Sequence, residues 1–196
     1  MVRSTRSDTD ASKNFLVIFI FGMDNRFDGG NMAYYFLDYN ENTMKNLYIK
    51  GNDYTDLIEL CFKYSQKFSF VFSSLKQVEW LNQESDIYNY DEIRLSDKIR
   101  NYKVYCECTN ENKKFLLSNW DNLFNCLDHT NNNYEDITFY REDESVFFWS
   151  ETHEGVCAIF NRANENVDEV ISKEGWDTYK PSEANFWIPK NLICGD

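Results

Sequence analysis

The sequence predicts an α+β or α/β fold in which about three helices pack on a mixed sheet. Short runs rich in Phe, Tyr, Val and Ile alternate with segments of helical spacing, in the approximate order βββαβ, a connection, then βαβββα. The chain of 196 residues is 42% hydrophobic and contains only two Pro and seven Gly. These values are typical of a globular chain that buries a core, and not of a disordered one.

The sequence also indicates how the chain is organised. Residues 1–13 are polar and are expected to form a flexible tail. The apolar run 15–21 is too short to span a bilayer and no small-residue cleavage site follows it, so we interpret it as a buried strand. Residues 14–196 are expected to form a single globular domain, or two subdomains joined near 84–100, where the sequence is polar and lacks a strong period.

The individual elements follow from local patterns. Strands are predicted at 15–23, 32–39, 47–51, 68–74, 103–109, 137–142, 145–151 and 156–162, the last two joined as a hairpin. Helices are predicted at 53–67, 110–130 and 166–176, and a short helix or turn at 75–83. The second of these helices is either continuous or broken near Ser118.

The segment 118–129 has two distinct faces when it is read as a helix. Its apolar face consists of Trp120, Leu123, Phe124 and Leu127, at a spacing typical of a core-facing stripe. Its polar face consists of Asp121, Asn125 and Asp128 and contains no Lys or Arg. A solvated helix face usually mixes both charge signs, so the polar face indicates a further use.

Charge is the strongest global signal in the chain. There are 33 acidic and 20 basic residues, which gives a net charge of -13. Nucleic acids and anionic membranes are disfavoured as partners, because both require clustered Lys and Arg. A basic protein partner would be attracted by this field, although the charge could also serve only to keep an aromatic-rich chain soluble.

The acidic residues are concentrated in one region. Between Asp128 and Glu154 there are eight acids and one base, and aromatic residues lie among them. Aromatic side chains anchor interfaces, and carboxylates pair with a partner's Arg and Lys, so this region predicts a partner-binding surface. The predicted contact residues are Asp121, Asn125, Asp128, Tyr134, Glu135, Tyr140, Glu142, Asp143, Glu144 and Glu151, with the two tyrosines as aromatic anchors.

Motifs for catalysis, cofactors and metals are not found in the sequence. Cys106 and Cys108 would point to the same side of a strand, but no second ligand pair lies nearby, so we interpret them as small core residues. We therefore predict no catalytic residue, no cofactor and no metal. The alternative is an enzyme without a recognisable motif, using Cys126 with His129, or His153 with nearby carboxylates.

One short segment resembles a known family. Asn119, Asp121, Leu123, Phe124, Cys126 and Leu127 spell N-x-D-x-L-[aromatic]-x-C-L, which resembles the inhibitory helix of barstar, the intracellular inhibitor of a secreted ribonuclease. The resemblance covers roughly residues 103–142, and Asn125 stands where the family's second key acid is expected. It implies an acidic inhibitor whose helix enters the basic active site of a nuclease.

The broader class suggested by this resemblance is the bacterial toxin-immunity proteins. The expected function is to bind a cognate basic toxin, with a nuclease domain as the leading candidate, and to occlude its active site without catalysis. The six scattered cysteines indicate reduced thiols and a cytoplasmic location. A further alternative is an interaction protein of a phage or mobile element with no inhibitory role.

Overall fold

The computed structural model of the protein describes residues 32–36, 49–84, 87–94, 100–124, 134–152 and 155–179. Within these ranges the chain forms eight strands and four helices. The strands are β1 (Met32–Phe36), β2 (Lys67–Phe72), β3 (Ile87–Arg94), β4 (Arg100–Glu107), β5 (Glu135–Tyr140), β6 (Val146–Glu151), β7 (Val156–Phe160) and β8 (Trp176–Tyr179). The helices are α1 (Asn52–Tyr64), α2 (Leu75–Glu84), α3 (Asn110–Asn119) and α4 (Asp168–Ile171).

All eight strands belong to one sheet, in the order β3-β4-β2-β5-β6-β7-β1-β8. Every neighbouring pair in this order is antiparallel. The α+β class is therefore confirmed, but the described sheet is antiparallel throughout and not mixed as predicted. The prediction erred because the order of elements along the chain does not fix the direction in which each strand enters the sheet.

Most predicted elements are present. The predicted strand 32–39 appears as β1, and those at 68–74, 103–109, 137–142, 145–151 and 156–162 appear as β2 and β4 to β7, with β6 and β7 paired as the expected hairpin. Of the predicted strand 47–51, residues 49–51 are described, and they contribute an isolated bridge between Lys50 and Asn122. The predicted tail 1–13 and the predicted strand 15–23 lie outside the described residues.

The polar region 84–100 contains a strand that the sequence did not reveal. Residues 87–94 form β3, which pairs with β4 at one end of the sheet. The residues from Asn89 to Glu92 are all exposed, so no alternation of apolar and polar residues marks this strand. Strands from both halves of the chain thus belong to one sheet.

The helix predicted over 110–130 ends much earlier. Thr109 caps α3, its hydroxyl accepting a hydrogen bond from the backbone N–H of Asn112, and the helix stops at Asn119. Trp120 is extended, with φ -138° and ψ 143°. The following backbone bonds to the start of α1: the N–H of Gly51 donates to the carbonyl of Asp121 at 2.7 Å, and the N–H of Leu123 donates to the carbonyl of Ile49 at 2.9 Å.

These tertiary backbone bonds replace the helical ones, so the segment 120–124 is not helical and the predicted inhibitory helix is wrong there. The apolar stripe nevertheless identified core residues. Trp120, Leu123 and Phe124 are all buried. Residues 125–133 lie outside the described part of the chain.

An aromatic core holds the helices against one face of the sheet. On that face Phe68 of β2 pairs with Phe139 of β5, and Phe62 of α1 packs on both rings at 5.5 and 5.6 Å between ring centroids. Trp120 packs on Phe70 at 6.1 Å. Burial of these rings supplies the main stabilisation of the fold.

The C-terminal helix is shorter than predicted. The sequence indicates a helix over 166–176, but α4 covers only Asp168–Ile171, and Trp176 begins β8. Gly175 lies in the turn before β8 with φ 94°, a left-handed conformation that favours glycine. The chain is thereby redirected into the sheet, where β8 pairs with β1.

Replacing Trp120 with alanine should destabilise the fold by about 3–5 kcal/mol, the usual cost of deleting a buried aromatic side chain. Trp120 contacts the rings of Phe70, Trp80, Phe115 and Tyr134, so its loss leaves a cavity among four rings. The measurement is the free energy of unfolding in urea.

The matched control is Leu75→Ala at the start of α2, because Leu75 is 41% exposed. That change should alter the free energy of unfolding by no more than about 0.5 kcal/mol. Similar losses for the two variants would contradict the central position of Trp120 in the core.

Candidate functional site

The acidic region predicted to bind a partner is divided by the β5–β6 hairpin. Glu142, Asp143 and Glu144 lie in the turn between the two strands, and we call them the turn-end acids. Four other acids, which we call the open-end acids, lie near the start of β5 and the end of β6: Asp121, Glu135, Asp136 and Glu151. Since β5 has six residues, the two ends are about 16 Å apart, and the acids do not form one continuous patch.

The turn-end acids are largely matched by bases. Glu144 forms an ion pair with Lys67, and Asp143 pairs with Arg162 at 2.5 Å. Asp143 also accepts a hydrogen bond from the hydroxyl of Ser145 at 2.6 Å. These contacts hold the turn against β2 and against the segment after β7. The charges of Asp143 and Glu144 therefore stabilise the fold around the turn.

Arg141 is the centre of this network. Its side chain is buried and forms a bidentate ion pair with Glu165, both bonds being 2.7 Å long. It also donates to the backbone carbonyls of Val146 and Phe160. A buried guanidinium needs such a full set of acceptors, and here they join the turn to β7. The sequence pattern does not reveal this role, because Glu165 is distant from Arg141 in the chain.

The pKa of Asp143 reflects this environment. Partial burial alone would raise it, but hydrogen bonds from Ser145 and Arg162, together with the charge of Arg162, lower the pKa to about 2. The carboxylate is thus held in its charged form at neutral pH.

The open-end acids are positioned by packed aromatic rings. Trp120 packs edge-on against Tyr134, with ring centroids 4.8 Å apart. Asp121 follows the first of these residues and Glu135 follows the second, so both acids border the same contact. Asp121 is exposed, and its carboxylate has no ion-pair partner within the described ranges.

Asp136 links the start of β5 to the end of β6. Its backbone N–H donates to the Thr152 hydroxyl at 2.9 Å, and its carboxylate accepts from the backbone N–H of Thr152 at 2.8 Å. Asp136 has φ 52°, a left-handed conformation that is uncommon outside glycine, at a bulge in the pairing of β2 with β5. The paired bonds hold β5 to the end of β6, and so place Glu135 near Glu151.

The two predicted aromatic anchors are buried, so the prediction that they contact a partner is wrong. Tyr134 is fully buried, and its hydroxyl lies 3.2 Å from that of Tyr54. Tyr140 is 3% exposed and lies within hydrogen-bond distance of Ser69 and Lys103. Alternation along a strand cannot show which of its two faces is covered, and here both faces of β5 are buried from Ile137 to Tyr140.

Several predicted residues lie outside the described part of the chain. Asn125 and Asp128 of the predicted contact surface are among them, and so are Cys126, His129 and His153 of the alternative enzyme reading. Their roles stay predictions.

The described cysteines are free thiols, as predicted. Burial raises the pKa of Cys106 to about 12, and burial also raises the pKa values of Cys61 and Cys108. Such thiols are protonated at neutral pH and poorly nucleophilic. Within the described ranges, no group of three or more His, Cys, Asp or Glu side chains is arranged to hold a metal ion.

A cleft of about 490 Å³ lies between α1, the start of α3 and α4. Two of its carboxylates are already in ion pairs, Glu59 with Lys113 and Asp56 with Lys173, each at 2.5 Å. Because these two carboxylates are paired within the protein, each offers a basic partner less uncompensated charge than Asp121 does.

Comparisons of the chain with family models, curated proteins and solved structures give no match. In the described ranges, no helix combines the length and the apolar character that crossing a membrane requires.

Replacing Arg141 with methionine should lower the free energy of unfolding by about 3–5 kcal/mol, because the carboxylate of Glu165, 6% exposed, would lose its ion-pair partner. The matched control is Arg162→Met, which breaks the more exposed pair with Asp143 and should cost about 1 kcal/mol or less. Urea unfolding measures both, and equal losses would contradict the central role of Arg141.

The Asp143→Asn variant should show a stability difference that depends on pH. The folded pKa of Asp143 is about 2, below the unfolded value of about 3.9. Its contribution to the free energy of unfolding is therefore present above about pH 3.9. It is lost as the pH falls from about 4 to about 2. The contribution is small because the carboxylate is half exposed.

Unfolding of wild type and variant should be compared across that pH range. The same comparison in a Ser145→Ala/Arg162→Met background is the control, since it removes the two side-chain donors that lower the pKa and leaves the backbone N–H of Ser145. If the pH-dependent difference in the free energy of unfolding is unchanged in this background, these donors are not the cause of the lowered pKa of Asp143.

Proposed function

We propose that this chain is an immunity protein that binds a cognate bacterial toxin and neutralises it without catalysis. The toxin is expected to be a nuclease, whose active site must be basic in order to bind phosphates. The proposed contact surface is the group of open-end acids, which would occlude that active site. Asn125 and Asp128, which follow Asp121 in the chain, are proposed to extend the same surface.

The observation that carries this proposal is the difference between Asp121, which is exposed beside the open end, and the paired acids of the turn end. At the turn end, the ion pairs with Lys67 and Arg162 use the charge internally. At the open end, Asp121 is exposed and forms no ion pair with a described residue. The net charge of -13 would in addition speed the approach of a basic partner.

Rigidity of the open end supports the same proposal. The Trp120–Tyr134 contact and the paired Asp136–Thr152 bonds fix the backbone on which the acids stand. A backbone that is already ordered loses little entropy on binding, so more of the interaction energy of its side chains appears as affinity. Carboxylates on such a backbone are suited to pair with the Arg and Lys residues of an active site.

Reversing three open-end charges together, Asp121→Lys, Glu135→Lys and Glu151→Lys, should weaken toxin binding by more than about a hundredfold. Each change places a cation against a basic surface. The toxin used is the protein encoded beside this gene, and its nuclease activity should no longer be inhibited by the variant. Calorimetry and a nuclease assay give the two measurements.

The control reverses three exposed acids elsewhere, Glu79→Lys, Glu142→Lys and Glu174→Lys, and so makes the same change in net charge. It should bind and inhibit nearly as well as the wild type. If both variants lose affinity equally, the effect is one of net charge and the proposed surface is wrong. If the wild type does not bind the neighbouring protein, the immunity function itself fails.

A further inference from the structure

We propose that the ring of Phe115 on α3 is the apolar anchor on which the basic partner protein docks, and that Glu111 and Asp121 pair with the partner's Arg and Lys residues on either side of it. This inference rests on the proposed function and deepens it. It assigns an aromatic anchor to the contact surface, because the two tyrosines predicted for that role, Tyr134 and Tyr140, are buried.

Phe115 differs from most phenylalanines of the protein in its exposure. Of the phenylalanines whose exposure is described, all are buried except Phe62 and Phe115, which are partly exposed. Phenylalanine is one of the residue types that are most often fully buried. A partner that covers the free part of such a ring removes apolar surface from water, and this favours binding.

The ring of Phe115 is held in place by two other rings. Its centroid lies 5.6 Å from that of Trp80 on α2 and 5.5 Å from that of Trp120. The backbone at the end of α3 is fixed as well, because the side-chain amide of Asn119 donates to the carbonyl of Phe115 at 2.9 Å. A ring that is already packed in one position loses little entropy when a partner covers it.

Two exposed acids flank this ring. Glu111 lies one helical turn before Phe115, so their side chains share one face of α3. Asp121 follows the extended residue after the helix, so its Cα lies at most about 13 Å from that of Phe115. Neither carboxylate forms an ion pair with another described residue.

This arrangement identifies the kind of partner that fits. An apolar ring between two acids complements a surface that has an apolar centre and basic residues around it. Lys114 does not alter this conclusion, because neighbouring residues of a helix point about 100° apart and Lys114 is therefore turned away from Phe115. Since Asp121 is also one of the open-end acids, a single partner can contact Phe115 and the proposed contact surface together.

The other partly exposed phenylalanine lies in a different electrostatic environment. Three acids line the cleft beside Phe62, and three lysines match them: Lys63 and Lys113 in the same lining, and Lys173 in an ion pair with Asp56. A basic partner would therefore gain less from docking there. This difference makes Phe62 a suitable control position.

The test compares Phe115→Ala with Phe62→Ala. The two residues are closely matched, since each is partly exposed and has two ring contacts at centroid distances of 5.5 and 5.6 Å. Circular dichroism and urea unfolding establish whether the variants are folded, and calorimetry measures their affinity for the protein encoded beside this gene. Phe115→Ala should bind about tenfold more weakly than Phe62→Ala, which should bind like the wild type.

Equal affinities for the two variants would overturn the assignment of Phe115 and leave the immunity function intact. If the wild type does not bind the neighbouring protein, the immunity function and this inference are both overturned. The wild-type measurement therefore distinguishes the two failures.

If either alanine variant does not fold, Ser118→Arg takes the place of Phe115→Ala. Ser118 is exposed and lies one turn after Phe115 on the same face of α3, so a bulky cation there obstructs a basic partner without removing a core contact. The control is Ser172→Arg, the same change at an exposed serine after α4. Ser118→Arg should bind about tenfold more weakly than this control, and equal affinities would overturn the proposal.

Discussion

The packing of Trp120 into the aromatic core is the interaction on which much of the remaining structure depends. The side chain contacts rings from β2, α2 and α3 and the ring of Tyr134. To reach this position the backbone leaves the helix at Asn119 and crosses to the start of α1, where Gly51 and Asp121 bond. One buried indole thus ends a helix, joins two distant segments of the chain and places an acid at the surface.

The buried ion pair of Arg141 and Glu165 acts in a comparable way at the other end of the hairpin. Its desolvation is costly, and it is compensated because the guanidinium also bonds the backbone carbonyls of Val146 and Phe160. Together the two contacts keep both ends of β5 in place. The backbone that carries the acids of the hairpin is therefore held in place.

The sequence predicted the elements correctly where the pattern of apolar side chains matches their burial in the structure. The strands around Phe68 and Phe139 and the buried face of α1 could be predicted, because apolar periodicity reports on burial. Trp120 was correctly assigned to the core, although in the wrong local conformation, since an apolar residue is buried equally well by a helix or by an extended segment. β3 was missed because its exposed side chains do not alternate. The roles of Arg141 and Asp136 depend on partners far away in the chain, which local pattern cannot reveal.

The features of the candidate site could likewise be predicted from the sequence only in part. The acids were found from composition alone, but whether an acid is neutralised depends on the fold, as the contrast between Asp121 and Asp143 shows. Tyr134 was taken for a surface anchor because aromatic residues occur both in cores and at interfaces. The packing of Trp120 and Phe70 against its ring and the contact of its hydroxyl with Tyr54 show that Tyr134 belongs to the core.

The left-handed conformation of two acidic residues has a consequence for how this protein can diverge. Asp136 and Glu144 both have positive φ, at opposite ends of the hairpin, where glycine is more usual. Asp136 is retained by its bonds to Thr152, and Glu144 by its pairing with Lys67. Substitution of either acid would remove these contacts, so both positions have little freedom to vary. Adaptation to a changed partner would then fall on the few acids, such as Asp121, whose replacement leaves the backbone undisturbed.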